Sequence, residues 1–230
     1  MDNLINENDK TKERQYQECI EAVTERGFER LGLRSSQSWH DDPKHLLFRL
    51  SRYKFVAKML AGSHHVLEIG CGDAFGTRLV QQEVKALSAT DFDAVFLRDV
   101  EARMVDRWRF PVFTHDLLDG PIKGDYDGIF ALDVLEHIDP KHQNTFLANA
   151  FAPLTDHGVA IIGMPSLESQ AYASPTSRAG HVNCQSMPQL KMIMQQFFHN
   201  VFMFSMNDEV LHTGYYPMSH YLFAMCTGKK

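Results

Sequence analysis

Val66-Leu67-Glu68-Ile69-Gly70-Cys71-Gly72-Asp73-Ala74-Phe75-Gly76 joins an apolar run to an acidic, glycine-rich turn. The run reads as a strand and the turn as the opening of a helix. Gly70 and Gly72 lack a Cβ, so the backbone can take positive φ and approach a ligand closely, while the helix N-terminus adds a positive dipole. Such a turn holds a nucleotide-bearing ligand at the carboxyl end of a strand. A dinucleotide fingerprint would need a small residue where Phe75 stands, and a phosphate loop would need a Lys-Ser or Lys-Thr pair that does not follow these glycines. Glu68 sets a carboxylate beside the turn, which suits a ligand with a cationic amine better than a phosphate.

Three further segments follow in order. Residues 86–90 form a second apolar run closed by Asp91, about twenty residues beyond the glycines, where a carboxylate can accept both hydroxyls of a ribose. Phe92 comes next, and residues 94–105 read as a helix. Residues 110–114 give a third strand, closed by His115-Asp116-Leu117, and residues 126–132 a fourth, followed by Asp133-Val134-Leu135-Glu136-His137-Ile138.

The glycine turn, written E-x-G-x-G-x-x-x-G, resembles the first motif of the class I S-adenosylmethionine-dependent methyltransferases. The segment from Asp133 to His137 resembles the D-x-L-E-H motif of that family's small-molecule members. The resemblance implies S-adenosylmethionine as cofactor and S-adenosylhomocysteine as its product. It assigns cofactor contacts to Glu68, Gly70, Cys71, Gly72, Asp91, Phe92, Asp116, Leu117 and Asp133, with Asp91 at the ribose, the Asp116 carboxylate at the adenine amino group and the Leu117 amide at the ring. It also implies a Rossmann-like three-layer α/β sandwich, with a seven-stranded, mostly parallel sheet, an antiparallel last strand and additional N-terminal helices. Residues 158–164, 200–206 and 219–226 supply the remaining strands. The expected division is an N-terminal helical segment, 1–60, acting as a lid or cap, and a methyltransferase domain, 61–230.

A sulfonium activates its own methyl group, so the protein mainly aligns the incoming nucleophile and, for a hydroxyl, removes its proton. His137 suits a general base near neutral pH. His181, in Gly180-His181-Val182-Asn183, is the second catalytic candidate, following a long unpatterned stretch over 167–180 that reads as a substrate-side loop. His212, Tyr215 and Tyr216 read as turn residues between the last two strands. The expected reaction is methylation of a small metabolite, foremost an oxygen of a sugar or sugar-linked intermediate. N-methylation of a small amine and a non-catalytic S-adenosylmethionine-binding regulator are the rivals.

Composition narrows the partners. The formal net charge is −6, and no basic tail or run of lysines and arginines is present, which disfavours nucleic acid and anionic membranes. No apolar leader or membrane-length stretch occurs, so a cytoplasmic protein with a small-molecule acceptor is expected, with a homodimer among the assemblies the sequence allows. Cys19, Cys71, Cys184 and Cys226 are scattered and read as reduced thiols. No metal is expected: the histidines form no H-x-x-x-H or H-E-x-x-H cluster, and Asp133, Glu136 and His137 are too close in sequence to point at one centre.

The helix over 43–60 carries an apolar face of Leu46, Leu47, Leu50, Tyr53, Val56, Ala57 and Leu60. Arg49 and Arg52 within it, and Trp39 before it, read either as a solvated face with one aromatic or as part of a lid.

Overall fold

The computed structural model describes Ile5 and residues 8–230. One compact unit ends at Leu31 and the other runs from Gly32 to Lys230, rather than dividing at residue 60. In the first, a short 3₁₀ turn leads into α1 (Gln17–Arg26), which closes at Gly27 with φ +74°.

The second unit is built on eight strands: β1 (Val66–Ile69), β2 (Leu87–Asp91), β3 (Val112–Thr114), β4 (Tyr126–Leu132), β5 (Leu154–Pro165), β6 (Phe198–Asn207), β7 (Val210–His212) and β8 (Tyr221–Lys229). They form one sheet in the order β3-β2-β1-β4-β5-β8-β6-β7. The first five are parallel, and β8 runs antiparallel between β5 and β6. This is the Rossmann-like architecture expected, with one strand more than seven. The extra strand is a hairpin return: Asn207 pairs with Val210, and Asp208 turns the chain with φ +51°. A three-residue strand with two exposed positions carries no alternating pattern to announce it.

Both faces of the sheet are covered, and the strands alternate between two cores. Val66, Phe130, Ile161 and Phe223 point to one side, against Tyr53 and Val56 of α3 (Lys44–Met59), Leu60 at its C-cap, Val80 of α4 (Thr77–Gln81) and Leu97 of α5 (Ala94–Arg103). Leu67, Ile129, Ile162 and Leu222 point to the other, against Phe146 and Leu147 of α6 (Gln143–Phe151) and Leu190 and Met194 of α8 (Met187–Met194). Strands buried on both faces are near-continuous apolar runs, as the sequence shows for β1 and β4.

Two segments depart from the sequence reading. α2 (Leu33–Asp41) is a helix that the apolar pattern does not announce, and its N-terminus is satisfied from afar: Asp73 Oδ2 accepts from the Ser35 amide at 2.6 Å. The stretch over 167–180 is not irregular, since it holds a 3₁₀ turn at Glu168–Tyr172 and α7 (Pro175–Gly180), capped by the Ser174 hydroxyl on the Ser177 amide. Among the described residues, no helix is long and apolar enough to cross a membrane.

Candidate active site

The strand order reverses between β1 and β4, and a cavity of about 530 Å³ opens there beyond the strands' carboxyl ends. Such a switch point is where open α/β sheets bind ligands. Gly70, Gly72, Asp91, Phe92, Asp116, Leu117, Asp133 and His137, all singled out in the sequence, line the cavity. Glu68, Cys71 and His181 do not.

The floor is the glycine turn. Gly70 has φ +70° and Gly72 φ +53°, and a Cβ on Gly70 would stand 2.4 Å from Val134 Cγ2. The Gly70 and Cys71 amides donate to the Thr90 carbonyl, fastening the turn to β2. Arg103 of α5 donates through Nη2 to the Asp73 carbonyl at 2.7 Å, and its Nε pairs with Asp99 at 2.8 Å, so a buried cation braces the turn from beneath. Cys71 is buried, and desolvation holds its thiol protonated.

Glu68 lies under this floor rather than in the cavity. One of its oxygens accepts from Tyr53 Oη of α3 and the other from Thr77 Oγ1 of α4, each at 2.6 Å. Burial pushes its carboxyl up to about 7 against these two donors. The residue that sequence reasoning placed beside a ligand amine therefore ties α3, β1 and α4 together.

Asp91, at the end of β2, is held by two amides: Gly72 N donates to Oδ2 at 2.8 Å and Asp93 N to Oδ1 at 2.9 Å. A carboxylate oxygen keeps a lone pair beyond one such bond, so both remain able to accept from a ligand. Phe92 beside it is 74% exposed, a ring at the cavity rim. Asp116 caps the Leu118 amide through Oδ1, while Asn149 of α6 donates to the Leu117 carbonyl at 2.6 Å. His115 bonds the Gly120 carbonyl at 2.8 Å and closes this loop.

The opposite wall is charged. Asp133 follows β4 with φ +58°, an unusual conformation for a residue with a Cβ, and it is held by an ion pair. Arg52 Nη1 lies 2.8 and 2.9 Å from its two oxygens, and the guanidinium stacks 3.9 Å above the Tyr221 ring. Burial opposes ionisation of Asp133, but Arg52, with Arg34 and Arg49 beyond it, keeps the carboxyl below its usual range. Arg52 is thus not a solvated residue, and Arg49 donates to the Ser35 and Ser38 hydroxyls of α2. Trp39 is exposed, as are Tyr215 and Met218, whereas His212 ends β7 and bonds Asn207.

His137 and His181, distant in sequence, come together with ring centroids 5.1 Å apart. His137 Nδ1 lies 2.9 Å from the Gly180 carbonyl, and His181 Nδ1 2.9 Å from Gln170 Oε1. Burial, then the neighbouring His137, lowers the affinity of His181 for a proton. Asn183 fixes the segment, its amide donating to the Glu136 carbonyl at 3.0 Å and its side chain to Gln143 at 2.9 Å. One ligand atom from each of Glu136, His137 and His181 lies within 4.8 Å of the others. The sequence reading considered only Asp133, Glu136 and His137 as a cluster and so missed this grouping, which the return of the chain after α7 creates. It also missed Arg34, on the cavity wall, and Arg52 as the partner of Asp133; no local pattern marks either.

Residues 67–160 match the family model described as a methyltransferase domain. The matched stretch contains the glycine turn, Asp91, Asp116, Asp133 and His137. No curated protein matches the chain. Among solved structures, the N-methyltransferase NodS from Bradyrhizobium japonicum WM9 in complex with S-adenosyl-l-homocysteine superposes with a TM-score of 0.64 at 19% identity, over 83% of this chain and 90% of that one. A SAM-dependent methyltransferase from Archaeoglobus fulgidus gives 0.60 at 19% identity, over 81% and 94%. The DhpI-SAH complex gives 0.62 at 16%, over 85% and 91%. At these identities the likeness establishes the fold.

Proposed function

We propose that this protein is an S-adenosylmethionine-dependent methyltransferase acting on a small molecule. The observation that carries the reading is the cavity at the sheet's switch point, floored by Gly70 and Gly72 and walled by Asp91 within the stretch that matches a methyltransferase domain. In this reading Asp91 accepts the ribose hydroxyls, Asp116 and the Leu117 amide receive the adenine, Phe92 covers it, and Asp133 faces the methionine end. Glu68 and Cys71 act from beneath, by holding the turn.

The acceptor enters from the side of Asp133, His137 and His181. Each histidine bonds an oxygen through Nδ1, which makes Nδ1 the protonated nitrogen and leaves a lone pair on Nε2. Two imidazoles that present Nε2 at this wall suit activation of a hydroxyl whose oxygen attacks the methyl carbon, and a sugar or sugar-linked hydroxyl is the acceptor we favour. Attack by an amine is the second reading, favoured by the likeness to NodS, whose description is that of an N-methyltransferase.

Calorimetry with S-adenosylmethionine and S-adenosylhomocysteine tests the cofactor assignment. Saturable binding of one molecule per chain, weakened by Asp91→Ala, is expected; heat-silent mixing of both ligands with the folded protein would overturn it. Transfer of labelled methyl groups to a panel of sugars and amines then separates oxygen from nitrogen attack.

A further inference from the structure

The geometry points to a divalent-cation site formed by Glu136, His137 and His181, whose remaining coordination positions take the hydroxyl of the methyl acceptor. The role assigned to the cation rests on the methyl-transfer reading above; the site itself does not.

Three observations carry it. His137 Nε2 lies 3.9 Å from Glu136 Oε1, and the three residues each bring a ligand atom to within 4.8 Å of the others. Ligands around an ion at about 2.0–2.1 Å stand roughly 3–4 Å apart, so modest closure completes the set. Glu136 is 0% exposed, yet neither of its carboxylate oxygens is paired by a hydrogen bond. A buried carboxyl without a hydrogen-bond partner is costly; a cation supplies the missing partner.

The third observation is the support behind the imidazoles. Gly180 O can only accept, so His137 is protonated on Nδ1, and Nε2 is free to ligate. Gln170 donates its Nε2 to the Ser166 carbonyl at 3.2 Å, which leaves Oε1 facing His181 Nδ1 and fixes the same tautomer there. Metal-bound histidines are held in this way, through the other ring nitrogen. Two imidazoles and one carboxylate, with positions open, suit a first-row transition cation such as Mn²⁺, Fe²⁺, Co²⁺ or Zn²⁺ rather than Ca²⁺ or Mg²⁺. A hydroxyl bound there loses its proton to water more readily. Its oxygen then bonds the methyl carbon while the C–S bond breaks, the electron pair staying on sulfur to give the neutral thioether.

The test titrates Mn²⁺ into metal-stripped protein, with and without saturating S-adenosylhomocysteine, followed by electron paramagnetic resonance, and Co²⁺ followed by visible absorption. One ion per chain is expected. Affinity should fall 10–100-fold in Gln170→Ala and be lost in His181→Ala and Glu136→Gln, with thermal denaturation showing each variant folded. Failure of the wild type to bind either ion, or unchanged binding in the His181 and Glu136 variants, overturns the site. If the ions bind but neither S-adenosylmethionine nor S-adenosylhomocysteine does, the site stands and the methyl-transfer reading falls; the converse result removes the site alone.

Discussion

Glu68 is a residue whose protonation sets a measurable trend in stability. Its folded carboxyl is raised from 4.5 to about 7 by burial, so the folded chain keeps a proton that the unfolded chain has released. The stabilisation is complete below about pH 4.5 and is lost as pH rises to about 7, where it amounts to roughly 3 kcal/mol. Glu68→Gln keeps the shape and cannot ionise; its melting temperature relative to wild type should rise across that window and level off above it. A constant difference between the two proteins from pH 4.5 to 8 would contradict the assignment. Arg52→Met makes the opposite kind of change, because Asp133, nearly buried, loses its hydrogen-bonded ion partner. A loss of about 3–5 kcal/mol in chemical denaturation is expected. Gly70→Ala meets both a positive φ and Val134 Cγ2, and should cost roughly 2–5 kcal/mol by the same measurement.

At the scale of elements, legibility in the sequence follows the range of the interactions that fix each piece. β1 and its turn were readable because the strand's apolar run and the glycines that follow it are consecutive. Asp91 and Asp133 were readable because each closes an apolar strand. α2 was not, since its cap is Asp73, a residue from a distant turn, and its own residues are mostly polar. β7 was not, since it exists only as the return of a hairpin. The residues of the candidate site divide in the same way: Gly70, Gly72 and Asp91 belong to local patterns, whereas the Arg52–Asp133 pair and the approach of His181 to Glu136 depend on packing that no window of sequence contains. Asn183 is the residue that enforces that approach, through Glu136, Leu135 and Gln143. Asn183→Ala should leave affinity for S-adenosylhomocysteine close to wild type while reducing methyl transfer at least tenfold, measured by calorimetry and labelled-methyl assay. Equal losses in both would show that the segment after α7 serves the cofactor instead.

For the molecule as a whole, a ligand bound only by the folded state adds stability in proportion to its occupancy. At a concentration one hundred times its dissociation constant, S-adenosylhomocysteine should contribute about 2.7 kcal/mol and raise the melting temperature by roughly 5–10 °C. Scanning calorimetry that finds no shift would count against the cofactor assignment independently of any acceptor.

Asp73 joins two places that the chain separates widely: its carboxylate receives the Ser35 amide, and its carbonyl is gripped by Arg103 under the glycine turn. Arg34, the residue before Ser35, stands on the cavity wall. Steadying the turn with a bound nucleoside therefore steadies the first turn of α2 as well. Deuterium uptake at Ser35 should slow when the nucleoside is added, with the neighbouring arginine held in place on the cavity wall.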